Sequence, residues 1–196
     1  EVVVDIKVNE DLEGVVESAV AFEKLYSKQV DEAGKDAPNN EGDGNEITTH
    51  EDITDDAQTV TSELTPSIKT KAEFDDAKQV AAGVVVKDTV SYTDLVPGKE
   101  YTLKAELRNK AADENGEHAV IGHGEKTFTP KASAGEVVVD IKVDDDFKGV
   151  VASAVAFEKL FSKQVDENGK DAPNEEGDGN LITTHEDIND GDQTVD

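Results

Sequence analysis

Apolar and polar residues alternate along "KEYTLKAEL", which sets Tyr101, Leu103, Ala105 and Leu107 on one face of a strand. The same alternation in "EVVVDIKV" aligns Val137, Val139, Ile141 and Val143. Between such runs lie turn signals: "VPGK" at Val96 to Lys99, "ENGE" at Glu114 to Glu117 and "ENGK" at Glu167 to Lys170. No stretch repeats its apolar residues with the helical period. The pattern predicts an all-β chain, with about seven to nine short strands in its longest coherent stretch, the signature of a β-sandwich.

The pattern is also duplicated. "EVVVDIKV" begins at Glu1 and again at Glu136, "THED" at Thr49 and Thr184, and "QTV" at Gln58 and Gln193. All three pairs share the offset 136 − 1 = 135, so 1–61 aligns with 136–196 without a gap, differing at 13 positions. A fixed long period is the mark of a tandem array. The polar, proline-closed "TSELTP" marks the boundary, with 61–66 as linker. On this reading 1–60 is the back half of a preceding repeat, orphaned from its front, and 67–196 is one complete repeat.

Composition narrows the function classes. The 196 residues carry 19 Lys and Arg against 46 Asp and Glu, a formal net charge of −27. Such a surface repels phosphate backbones and anionic lipid, which argues against nucleic-acid and membrane partners. Without cysteine there is no disulfide or thiolate chemistry. No run reaches the roughly 18 apolar residues of a membrane span. The chain opens on Glu1 and reads as an internal fragment of something longer.

Some polar residues stand in places that invite chemistry. Glu158 lies in "VAFEKLF", with Val155 and Phe157 on one face and Ala156 and Leu160 on the other. A strand apolar on both faces is buried, which would desolvate the carboxyl and raise its pKa. From spacing alone, a glutamate turned outward beside Lys159 is the commoner arrangement. His185 in "ITTHEDI" is one of four histidines and could act as a base near neutral pH, although most such imidazoles have no role. Gln193 and Thr70 would each pass as ordinary strand residues. The acidic excursion from Val165 to Asn180 lacks the ordered ligands of a calcium loop, and "HAVIGHG" is too sparse for zinc. No cofactor or metal is expected, and no "GxSxG"-type nucleophile is present.

Taken in order, "PSIKTKA", "VKDTVSYTDLVPGKEYTLKAEL", "VAFEKLF" and "HEDINDGDQTV" resemble the VaFE repeats of Gram-positive surface proteins, the immunoglobulin-like Thr–Gln ester-bond domains of adhesins. The resemblance spans Pro66 to Val195 and, in the front copy, Val20 to Val60. It implies an intramolecular ester between a first-strand threonine, matched by Thr70, and a last-strand glutamine, matched by Gln193. It further assigns His185 as the assisting base and Glu158, held protonated by burial, as the acid that polarises the amide oxygen, with Asp88 as the remaining carboxylate and Asp94 as the rival for that place. In the front copy the equivalent positions, Glu23, His50 and Gln58, are left unpaired.

The implied function is structural: a stalk module of a cell-wall-attached, extracellular adhesin. It would adjoin neighbouring repeats and carry a distal tip for a host surface ligand. Cross-linking happens once per molecule, so the module is not an enzyme. Two rival readings remain open at this stage. One is a ligand-binding module using the acidic loops for host glycan or protein. The other is a pilin-type module with a Lys–Asn isopeptide bond from Lys69 or Lys71.

Overall fold

The computed structural model of the chain describes residues 1–9, 12 and 15–196. These fall into two compact units, Val16–Glu63 on the one hand and Glu1–Val15 with Leu64–Asp196 on the other. Every strand pair in both is antiparallel.

The smaller unit holds β1 (Ser18–Val20), β2 (Glu23–Ser27), β3 (Asn45–His50) and β4 (Thr59–Thr61). β1 pairs with β4 and β2 with β3, two separate ribbons without a common sheet. Just before β4, a single 3-10 turn over Asp56–Gln58 is capped by Asp55, whose side chain accepts from the Ala57 N–H.

The larger unit runs through β5 (Ser67–Phe74), β6 (Val80–Ala81), β7 (Val85–Thr93), β8 (Tyr101–Asn109), β9 (Val120–Phe128), β10 (Gly135–Val143), β11 (Val150–Val151), β12 (Ala154–Ser162), β13 (Asn180–His185) and β14 (Thr194–Val195). Its main sheet has the order β13-β12-β8-β9-β10-β7-β5, with β14 added on β12. The pairing between β9 and β10 is only two residues long, Lys142↔His123 and Val143↔Gly122. There the sheet turns a corner, so that β10, β7 and β5 lie over β12 and β8. Gly122 belongs to that corner: a Cβ on it would stand 2.6 Å from the Lys142 carbonyl. At the opposite seam the Ala72 N–H donates to the Asp192 carbonyl at 2.8 Å, bringing first and last strands together. The result is the all-β sandwich that the alternation predicts, of the immunoglobulin-like kind that the resemblance implies.

The alternating residues form its core. Leu103, Ala105 and Leu107 of β8 meet Val86 and Val90 of β7, Val139, Ile141 and Val143 of β10, and Ala156 and Leu160 of β12. Each large aliphatic side chain so enclosed contributes about 1.5–3 kcal/mol relative to exposure. Tyr101 spends its polar end on the Val96 N–H at 3.0 Å while its ring packs near Phe128. Gly98, Gly116 and Gly169, one in each of the three turn signals, all take positive φ. Leu64 of the expected linker packs, half-buried, against this core.

One sequence appears in two conformations. Residues 1–8 repeat the sequence of 136–143. The later copy is β10, held along its length by β7. The earlier copy forms no strand, and Val4, Ile6 and Val8 are exposed. Alternation supplies a face but not a ladder, and without an adjacent strand the backbone groups turn to water.

Candidate functional site

Among the described residues of the larger unit, five polar ones are buried: Thr70, Asp88, Glu158, Ser162 and Gln193. Ser162 has a local task, donating to the Glu100 carbonyl at 2.7 Å. The other four are four of the five candidates that the sequence singles out in the complete repeat. The fold turns each of them inward by strand parity. Thr70 lies between Ile68 and Ala72 on the buried face of β5, and Asp88 between Val86 and Val90 on that of β7. Asp88 is paired with Ala72, which puts Thr70 and Asp88 at diagonal positions on one face. Glu158 shares its face of β12 with Ala156 and Leu160, and its register partners are Ala105 and His185. Gln193 immediately precedes β14, whose pairing with Ala154 and Val155 brings it over the same strand.

The Gln193 side chain is fully enclosed, and its Nε2 is surrounded by oxygens. It donates to the Ala156 carbonyl at 2.7 Å, the His185 carbonyl at 3.0 Å and Glu158 Oε2 at 3.1 Å. Its Oε1 faces the Asp187 N–H at 3.4 Å. This fixes the orientation of the amide, because the reverse rotamer would set Oε1 against two carbonyl oxygens. The sequence reading places Glu158 on the amide oxygen as a polarising acid. The structure corrects that: Glu158 meets the amide nitrogen, and a backbone N–H meets the oxygen.

Thr70 Oγ1 lies 3.4 Å from Nδ1 of His185. The other ring nitrogen, Nε2, is 3.3 Å from Asp190 Oδ2. A proton held on Nε2 by Asp190 leaves the Nδ1 lone pair facing the threonine hydroxyl, the tautomer a base requires. Asp190 did not emerge from the sequence. Its signal was available, since Asp55 stands at the matching place in the front copy and pairs with His50 Nε2 at 2.9 Å.

Asp88 and Glu158 are buried neighbours. Burial pushes Asp88 above the usual carboxylate range, partly offset by its contacts with Glu158, Thr70 and His185. Burial, and then the Asp88 carboxyl beside it, push Glu158 well above that range. By strict geometry both Asp88 oxygens and Glu158 Oε1 accept no hydrogen bond, although the Thr70 hydroxyl and the Lys71 N–H lie near Asp88. One proton shared by the two carboxyls would supply a donor, and two like charges so enclosed disfavour ionising together. Asp94, the rival, sits outside this cluster in the turn after β7, at φ 57°. Lys69 and Lys71 point to the outer face of β5, away from Glu158.

In the smaller unit, Glu23, His50 and Gln58 also come together. Gln58 Nε2 donates to Glu23 Oε2 and, at 3.4 Å, to the His50 carbonyl. Glu23 and His50 are register partners, as Glu158 and His185 are. Here, however, the glutamate is exposed. Among the described residues no group of three or more His, Asp or Glu side chains is placed to hold a metal ion.

The model of the T-Q ester bond containing domain family matches residues 1–62 and 66–196. Among solved structures, two of a Mobiluncus mulieris bacterial adhesin containing intramolecular disulfide, isopeptide and ester bond cross-links are similar, in space groups P21 and P1. Their TM-scores are 0.49 and 0.48 at 17% and 18% identity, over 67% of this chain and 56% of theirs. The chain therefore spans little more than half the length of those structures. A comparison with curated proteins finds no match.

Proposed function

Since this chain belongs to the T-Q ester bond containing domain family, we propose that residues 66–196 seal themselves with an ester between Thr70 Oγ1 and the side-chain carbon of Gln193. The observation that carries this reading is the shared environment of the two. The Thr70 hydroxyl faces the half-buried His185 ring, the Gln193 amide faces the His185 carbonyl and Glu158, and Thr70, Gln193 and Glu158 are enclosed between the layers.

The bond that forms is Oγ1–Cδ and the bond that breaks is Cδ–Nε2. His185 Nδ1 accepts the hydroxyl proton as the oxygen attacks, making a poor nucleophile adequate. The Asp187 N–H stabilises charge developing on the amide oxygen. Nitrogen departs as ammonia, protonated from the Asp88–Glu158 pair that adjoins it, and the pair regains its proton from His185. Thr70 loses one hydrogen and ammonia carries one away, so the protein ends with unchanged protonation. Placement on adjoining strands replaces a bimolecular encounter, worth roughly 7–11 kcal/mol of barrier in favourable cases. The site acts once, and no turnover follows.

A covalent tie between first and last strands suits a stalk module of an extracellular, wall-attached adhesin, set among neighbouring repeats and carrying a host-binding tip. Pulling force then passes through the ester and spares the strand ladders. The high negative charge keeps such a stalk soluble. Intact mass tests the bond: about 17 Da below the sequence mass, rising by about 18 Da in mild alkali, which hydrolyses the ester to a free Thr70 hydroxyl and a carboxyl at position 193 and spares isopeptides. A full sequence mass in the purified chain overturns the assignment.

A further inference from the structure

The turn between β13 and β14 holds Asp190 at three points. Its Oδ1 accepts from the Asp192 N–H at 2.8 Å, its Oδ2 faces His185 Nε2 at 3.3 Å, and its carbonyl accepts from the Thr194 hydroxyl at 2.6 Å. Thr194 Oγ1 in turn accepts from Lys110 Nζ at 3.1 Å, which leaves the hydroxyl proton to the Asp190 carbonyl. A hydroxyl that accepts from an ammonium is the stronger donor, so the two bonds reinforce each other. Both bonds of the Thr194 hydroxyl go to Asp190 and Lys110, neither to a reacting group.

The smaller unit repeats the clamp. Asp55 Oδ1 accepts from the Ala57 N–H at 2.8 Å, its Oδ2 meets His50 Nε2 at 2.9 Å, and its carbonyl accepts from the Thr59 hydroxyl at 2.8 Å. Two of the three residues between aspartate and threonine differ, Asp56 and Ala57 in one copy, Gly191 and Asp192 in the other. The clamp therefore follows from an aspartate and a threonine four positions apart, whatever fills the turn between them. In both copies the clamped carboxylate ends on the far ring nitrogen of the histidine.

We propose that Thr194, backed by Lys110, is a positioning residue for the sealing reaction: it fixes Asp190, and through Asp190 the tautomer and orientation of the His185 ring that faces Thr70. This rests on the ester reading of the preceding section. With its carbonyl released, Asp190 is free to swing its carboxylate off Nε2. The ring proton is then no longer confined to Nε2, and in the molecules that carry it on Nδ1 the lone pair facing the Thr70 hydroxyl is lost. The rival account is that the Thr194 hydroxyl does no more than close the turn.

Thr194→Val keeps the shape of the side chain and removes the hydroxyl. It should slow the loss of about 17 Da roughly 10-fold, less than the ~10²–10⁴-fold expected on losing the base itself. Thr194→Ser should restore the parent rate. In an Asp190→Asn chain, Thr194→Val should cost nothing further, because its path to the ring is already cut. Slowing that persists in that background assigns the hydroxyl to the turn alone and overturns the proposal. A Thr194→Val chain that seals at the parent rate also overturns it and leaves the ester reading standing, whereas a parent that shows no loss overturns both. In the unsealed Thr70→Ala chain, ring-nitrogen NMR shifts of His185 report the tautomer directly. The proton should sit on Nε2 before Thr194→Val is added and be spread over both nitrogens after it; unchanged shifts overturn the proposal. Should Thr194→Val not fold, Lys110→Met reads the same path from outside the turn: sealing should slow, and Asp190→Asn should mask the effect.

Discussion

Gln193 and Glu158 meet at 3.1 Å inside the sandwich, nitrogen to carboxyl oxygen, with no water-exposed surface on either residue. A carboxyl at that place is beside the group that must leave. Its substitution by an isosteric amide therefore bears on departure of ammonia and leaves packing alone. Glu158→Gln should fold and keep its full sequence mass over the time in which the parent loses about 17 Da. Time-resolved mass spectrometry after refolding checks this, and prompt loss in the variant would sink the role given to Glu158.

Removing the nucleophile removes the loop constraint. The ester would close 193 − 70 = 123 residues, which the chain-entropy estimate values at about 4–5 kcal/mol. For a unit of this size that corresponds to a melting temperature lower by roughly 15 °C. Thr70→Ala should show that fall in calorimetry together with the full mass. Thr70→Ser should retain the seal.

His185→Ala should slow the mass loss about 10²–10⁴-fold, the usual contribution of a placed base. The melting temperature of the unsealed form should change far less. Asp190→Asn, which changes what the far ring nitrogen sees while leaving an amide oxygen for the Asp192 N–H, should slow sealing by a smaller factor.

The pH dependence of the unsealed chain has a definite sign. Glu158 holds its proton more tightly folded than unfolded. Its contribution is fully present below the ordinary glutamate value of about 4.3 and is lost as pH rises through the raised folded value. Thr70→Ala should therefore lose stability with rising pH across that interval, by up to about 1.4 kcal/mol per unit for one proton. Adding Glu158→Gln should flatten this part of the curve. Denaturant titrations of both variants across pH give the comparison.

Not every buried contact belongs to the chemistry. Asn180 Nδ2 donates to the Val165 and Ala172 carbonyls at 2.9 and 2.7 Å, stapling the acidic excursion to the sheet. Asn180→Ala should cost about 1–3 kcal/mol through the carbonyls it leaves unmet. The mass loss should persist.

Much of the sandwich was legible because its strands alternate, as in Tyr101 to Leu107, and because its turns carry glycine where φ is positive. The inward turn of Glu158 was not legible. Phe157 beside it is also apolar, and it settles half-exposed under the Arg108 guanidinium, 4.9 Å from its ring. Asp88 and Asp94 are six residues apart in sequence, and only the register with Ala72 puts the former inward. The amide orientation of Gln193 depends on two backbone carbonyls, which no side-chain pattern encodes. The eight residues opening the chain show the converse. Their strand signal is as strong as that of β10, but pairing is supplied by other segments.

The position of Gln193 also sets a clock. It stands immediately before β14, the last strand of this repeat, and β14 docks on Ala154 and Val155 only after β12 exists. The acceptor therefore reaches the hydroxyl of Thr70 only once everything between them has been made and placed. On the proposed ester, a molecule stalled or misassembled midway would stay unlocked and open to proteases, while a finished one would be permanent. Ammonia release would then be a receipt for completed assembly, issued by the last few residues of the repeat.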